Sequence, residues 1–193
     1  MTTRNYSRIH FFIIACLITS VLLTSCSLFK PAFKGALVEP AAAAPEISLK
    51  DKNGDLFQLS GLKGNVVLMF FGFTNCVDEC PLTMAHVKLA LDALDADAND
   101  VRVLLVSTDP VRDSPKALKD FLGKFDPSFI GVGGSLDELT RVWSNYGIVV
   151  LDGGETHSSF MYVVDRKGDL RLRIDAEADP SDIASDLKRL LSE

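Results

Sequence analysis

Apolar residues fall into blocks whose period changes along the chain. Val66 to Phe71 (VVLMFF) and Val101 to Val106 (VRVLLV) are almost continuous apolar runs, the pattern of strands covered on both faces. Between them, Pro81 to about Ala96 reads as a helix, with Leu82, Leu89, Leu91 and Leu94 available for burial. Ser114-Pro115 opens a second helix, since serine caps the free N–H groups and proline fits the first turn. Phe129 to Val132 reads as a short strand. Ser135-Leu136-Asp137-Glu138 then has the spacing of a capping box and starts a helix that reaches about Tyr146. Two pairs of shorter runs flank turn residues: Ile47 to Leu49 and Phe57 to Leu59 around Asp51-Lys52-Asn53-Gly54, and Phe160 to Val164 and Leu170 to Ile174 around Arg166-Lys167-Gly168-Asp169. These predict two hairpins. A last helix starts at Asp179-Pro180.

Buried runs joined by helices predict an α/β layer structure with a parallel centre, and the hairpins make the sheet mixed. The order β-α-β, helix, β-β-α is the thioredoxin-like order, with helices flanking a mixed central sheet and a β-hairpin added at the N-terminus. A flavodoxin-like sheet requires stricter alternation and leaves the Phe160 to Ile174 hairpin unexplained. With 193 residues, 47% of them hydrophobic, the chain has material for one ordinary domain, placed at residues 46–193.

The start of the chain follows other rules. Arg4 and Arg8 precede the uncharged run Phe11 to Leu23, which is short for a membrane span and suits a signal peptide over residues 1–25. Leu23-Thr24-Ser25-Cys26 resembles a bacterial lipobox, in which the cysteine is acylated and becomes the new N-terminus. Cys26 is therefore the expected lipidation site, anchoring the chain to a membrane of the bacterial cell envelope with the domain on the extracytoplasmic, periplasmic side. Residues 26–45, with Pro31, Gly35, Pro40 and Ala41 to Ala44, show no amphipathic period and are expected to form a flexible tether.

The formal charge is −6, and loss of Arg4 and Arg8 with the signal segment makes it −8. Such a surface repels phosphate backbones, so no nucleic-acid partner is expected. Of the 4 cysteines, Cys16 leaves with the signal segment and Cys26 is taken by lipid. Cys76 and Cys80 remain, too close in sequence to staple a fold.

Those two thiols lie in Phe70-Phe71-Gly72-Phe73-Thr74-Asn75-Cys76-Val77-Asp78-Glu79-Cys80-Pro81, between a buried strand and a helix start where backbone N–H groups are unpaired. The helix end favours a thiolate by about 0.3 to 1 kcal/mol, too little by itself to make a strongly acidic thiol. Cysteines at i and i+4 on a regular helix have Cβ atoms about 5 to 6 Å apart, whereas a relaxed disulfide wants about 3.8 Å. A bridging metal spans the wider gap. With Pro81 in the first helical turn, Cys76 falls in the lead-in, where a loop can also close a disulfide, so both chemistries stay open. Two thiolates leave most metals undercoordinated, and the histidines of the mature chain are His86 and His157. His86 is turned away from the Cys80 face of the helix and reads as a core-edge or solvated residue. His157, in a Gly-rich loop before a strand, taken alone is more often a surface histidine than a ligand.

FFGFTNCVDECPLTM, STDPVRDSP (Ser107 to Pro115), FDPSFIGV (Phe125 to Val132) and HSSFMYVVD (His157 to Asp165) together resemble the Sco (SenC/PrrC) family across nearly all of residues 46–193. That resemblance implies a thioredoxin-like domain binding copper through two cysteines and one histidine, here Cys76, Cys80 and His157. It also implies copper delivery, or thiol reduction, for the copper A centre of cytochrome c oxidase, with the copper A subunit or another copper chaperone as partner. Thiolates and one imidazole suit Cu(I); Cu(II) is also held by such a set but tends to oxidise thiols. The chain departs from the family twice, with Val77 where proline usually follows the first cysteine and Thr156, after Glu155, where an acid usually precedes the histidine. Asp78 matches the acid between the cysteines, either as a group tuning the metal from behind its ligands or as an exposed loop carboxylate. Asp109 and Arg112 match the second block and read as loop-bracing.

Copper delivery by a chaperone without turnover is the leading function, and the runner-up is a thiol-disulfide oxidoreductase using Cys76 and Cys80 as a redox pair, on the oxidase subunit or in envelope redox homeostasis. A peroxidase reading, starting from Thr74 beside Cys76, ranks last because the second cysteine and His157 fit it poorly.

Overall fold

In the computed structural model, residues 32–151 and 156–193 are described. The expected signal segment, Cys26 and Glu155 lie outside them.

The two apolar runs form β4 (Val66–Gly72) and β5 (Val101–Ser107), paired in parallel at the centre of an eight-stranded sheet. β6 (Ile130–Gly133) extends the parallel part beyond β5, and β2 (Ser48–Asp51) with β3 (Leu56–Gln58) closes that side as the first expected hairpin. On the other side β9 (Phe160–Val164) pairs antiparallel with β4 and with β10 (Asp169–Asp175), the second hairpin. A small separate ladder joins β7 (Val150–Leu151) to β8 (Thr156–His157).

β4 explains why its run is continuous. Val66, Leu68 and Phe70 face a core shared with α1 (Glu79–Asp92), α2 (Pro115–Leu122) and α4 (Pro180–Leu191), while Val67, Met69 and Phe71 face α3 (Leu136–Tyr146) and the N-terminal hairpin. A strand with helices on one face and α3 on the other has no solvent side, so no polar position is tolerated. The caps follow the sequence: Ser114 accepts from Ala117 N–H, Ser135 and Glu138 form a complete capping box, and Asp179 accepts from Ser181 N–H.

Two expectations are corrected. Ala36–Ala43, read as tether, is β1, an edge strand paired antiparallel with β10 across a register shift between Leu37 and Ala42. Both its faces are mostly exposed, so burial imposes no alternation that the sequence could display, and its proline is tolerated at an edge. Just before it, Lys34 and Gly35 donate their N–H groups to the two carboxylate oxygens of buried Asp186 at 2.8 and 2.7 Å, and the Arg189 guanidinium lies 4.0 Å over the Phe33 ring. A Cβ at Gly35 would stand 2.7 Å from Ile174 Cγ1, so the approach requires glycine. The sheet thus begins about ten residues before the expected domain boundary. In α1, the buried face is Cys80, Thr83, Met84, Val87 and Ala90, and Leu82 and Leu89 point to solvent. The helix starts at Glu79, before Pro81, and its inward stripe runs at i, i+3, i+4 from Cys80, leaving the two leucines off that stripe.

Candidate thiol and metal site

β4 ends at Gly72, where a Cβ would lie 2.6 Å from Phe70 Cε1 and 3.1 Å from Cys80 Sγ. Only glycine lets the chain turn there with the second thiol packed behind it. The loop Phe73 to Asp78 then leads into α1, with Cys76 half-buried in the loop and Cys80 fully buried in the first helical turn. Both are free thiols. Cys80 N–H donates to Cys76 Sγ at 3.3 Å, so the sulfur occupies the place of a capping oxygen. Asp78, at the cap position, makes no side-chain cap bond and is exposed. Burial pushes the Cys80 thiol well above its ordinary range; a backbone hydrogen bond from Phe73 opposes this, while Cys76 and the charge of Glu79 add to it.

His157 reaches the same place from the other side of the sheet order. Its ring meets Phe70 and Phe73 edge-on, with centroids 6.1 and 5.8 Å away, and both phenylalanines belong to the buried cluster that contains Cys80. Nδ1 lies 3.1 Å from the Ser158 carbonyl, which can only accept, so Nδ1 is placed to donate to it and Nε2 is the ring nitrogen left to face a ligand. Among the described residues no three His, Cys, Asp or Glu side chains already stand within metal-holding reach of one another. The structure therefore brings the two thiols together and holds His157 on the shared aromatic wall, apart from the sulfurs. His86 does something else: its Nδ1 lies 3.1 Å from the Ala178 carbonyl, tying α1 to the turn before α4.

The loop after β5 braces this end of the sheet. Asp109, 1% exposed, accepts from the N–H groups of Val111 and Arg112 at 3.1 Å each and pairs with the Arg112 guanidinium, which lies 5.8 Å over Phe73. Sequence reasoning passed over Asp113. Buried to 6% exposure, it accepts from Thr74 N–H (3.0 Å), Thr74 Oγ1 (2.7 Å) and Ser107 Oγ (2.6 Å). Burial raises its carboxyl above the usual range, against the pull of those hydrogen bonds and with help from the charge of Asp109. Locally it looks like one more turn residue before the Ser114 cap, and its partner is 39 positions away. Val77, between the two cysteines, is 96% exposed and leaves an apolar side chain in solvent.

The SCO1/SenC family profile matches residues 36–192. Among solved structures, Bradyrhizobium japonicum ScoI with copper bound is similar at 33% identity and a TM-score of 0.69, over 77% of this chain and 99% of that one. A SCO1/SenC family lipoprotein from Bacillus anthracis is similar at 25% identity and 0.69, over 81% and 99%. BsSco, a member of the Sco family of cytochrome c oxidase assembly proteins in which a disulfide switch is identified, is similar at 27% identity and 0.67, over 81% and 98%. A profile match spanning β1 to the end of α4, on a thioredoxin-like sheet with both cysteines at the β4–α1 junction, makes this chain a member of the SCO1/SenC family.

Proposed function

We propose that the protein carries copper as cargo on Cys76, Cys80 and His157 and delivers it to the copper A site of cytochrome c oxidase during assembly of that enzyme. The observation that carries this reading is the His157 ring set on the Phe70–Phe73 wall of the buried cluster that also holds Cys80, with Nδ1 at the Ser158 carbonyl and both thiols free. Two soft sulfurs and one imidazole nitrogen suit Cu(I), whereas zinc would ask for a fourth ligand. The three groups do not already stand within metal-holding reach of one another, so joint coordination of copper would require His157 to approach the sulfurs. Copper bound to the Bradyrhizobium relative supports the cargo, and the oxidase-assembly family of BsSco supports the destination.

A lipid on Cys26 would hold the domain at an extracytoplasmic membrane surface. The lipobox and the lipoprotein relative support this. With the chain docked from Gly35 onward, the nine residues after Cys26 span at most about 30 Å.

The exposure difference between the thiols favours a second reading, thiol-disulfide exchange. Half-buried Cys76 would attack a partner disulfide to give a mixed disulfide, and buried Cys80 would then displace the partner dithiol, leaving Cys76–Cys80 oxidised. Anaerobic Cu(I) titration of the reduced protein against a chromophoric chelator separates the two. One tight equivalent that weakens more than about tenfold, roughly 1.4 kcal/mol, in His157→Ala supports copper delivery. If neither protein competes for copper, the delivery reading fails and the pair is assayed for disulfide reduction.

A further inference from the structure

We propose that Asp113 is the positioning residue of the thiol site: its buried carboxylate pins Thr74 and thereby sets where Cys76 stands against Cys80. The proposal rests on the copper and thiol reading above. Among the described residues, hydrogen bonds from the Phe73 to Asp78 loop run to only two places. One is α1 itself, through Cys80 N–H on Cys76 Sγ, Leu82 N–H on the Asp78 carbonyl and the Phe73 backbone on Cys80. The other is Asp113, which takes both the N–H and the hydroxyl of Thr74 on one oxygen. Its second oxygen takes the Ser107 hydroxyl, and the Ser107 carbonyl in turn accepts from Trp143 Nε1 at 3.0 Å. Thr74 is thus fastened to the end of β5 and, through Trp143, to α3.

Thr74 is the last point at which the loop is tied to the body of the protein before Cys76, two residues on. Beyond it, Val77 is 96% exposed and Asp78 makes no cap bond, so the further restraints on the first sulfur are the Cys80 N–H and the packing of Cys76 against the buried cluster. A chelate of two sulfurs on one short loop depends on their separation within tenths of an ångström, and so does closure of a disulfide. A carboxylate with three donors fixes that separation from outside the loop. A purely structural Asp113 would stabilise the α2 entry without touching the sulfur chemistry.

The test uses Asp113→Asn, Thr74→Val and Thr74→Ser, with Leu187→Val in the α4 core as a destabilised control. Each is read three ways: thermal midpoint, Cu(I) affinity by chelator competition, and the Cys76–Cys80 dithiol–disulfide equilibrium against glutathione. Asp113→Asn and Thr74→Val are expected to weaken Cu(I) about tenfold and to move the thiol equilibrium by a similar factor, about 30 mV. Thr74→Ser, which keeps the hydroxyl, restores both, and Leu187→Val lowers the midpoint alone. The proposal is overturned if affinity and equilibrium in Asp113→Asn and Thr74→Val match the parent, or if Leu187→Val shifts them as much as those variants do. Should the parent itself bind no copper, the delivery reading falls and the thiol equilibrium alone decides for or against Asp113. Should Asp113→Asn fail to fold, Thr74→Val decides.

Discussion

The two ends of β4 are built in opposite ways. At its N-terminal end lies the β9–β10 turn, where Asp165 accepts from Lys167 N–H at 2.9 Å and Asp169 N–H at 3.0 Å and pairs with Arg171 at 2.9 Å, all within six residues. At its C-terminal end, the cysteine loop takes its fastening from Asp113, 39 residues on, and its aromatic wall supports His157, 84 residues beyond Phe73. The Asp165 carboxylate is satisfied within its own turn, while outside residues reach that turn only through other groups, as Gly64 N–H does at the Arg166 carbonyl. The loop that carries the two thiols takes its fastening from another element, the buried Asp113 carboxylate, so its geometry is set from outside the loop.

The sharpest way to break this contrast is at the shared wall. Phe70→Ala is expected to cost about 3 to 5 kcal/mol in urea unfolding, because a fully buried ring leaves a cavity. It should also weaken copper binding through loss of the surface under His157. Equal affinity in a folded Phe70→Ala protein would sink the wall as a seat for the ligand. Asp165→Ala comes next, at about 1 to 3 kcal/mol for two freed N–H groups and the loss of one of the two carboxylates paired with Arg171, Glu193 being the other, with Cu(I) affinity unchanged within about twofold. A large loss of copper affinity there would mean that the two ends are not independent.

The pair of aspartates gives a finer test. Burial alone would raise Asp165, but hydrogen bonds from Asp169 N–H, Arg171 and Lys167 N–H outweigh it and hold the carboxyl below its usual range. Its contribution is therefore present above the unfolded value, about 3.9, and is lost as pH falls through the lower folded value. Asp113 is raised, so its contribution runs the other way and declines as pH climbs from about 3.9 through the higher folded value. Parent-minus-variant stability should fall on acidification for Asp165→Asn and fall on going from pH 4 toward neutrality for Asp113→Asn. The same slope for both would remove the distinction. Smallest of all, Val77→Ser and Asp78→Asn should change stability by less than about 0.5 kcal/mol, since both side chains are in solvent; a larger shift would show that the loop braces itself after all.

By itself the sequence determined whatever is local or periodic. VVLMFF and VRVLLV announced a doubly covered centre, the serine and aspartate caps marked three helix starts, and the spacing of Cys76 and Cys80 put two thiols at the β4–α1 junction. His157 stood out only through a resemblance, because nothing within its own loop points to a sulfur. Tertiary structure alone decided the rest. β1 is exposed on both faces and leaves no hydrophobic period, so its membership in the sheet depends on the free edge of β10. Asp113 carries no mark in its own segment, because its partners Thr74 and Ser107 become neighbours only when β4 and β5 lie side by side. Periodicity records which side of an element is dry; it does not record which distant group a buried carboxylate will meet.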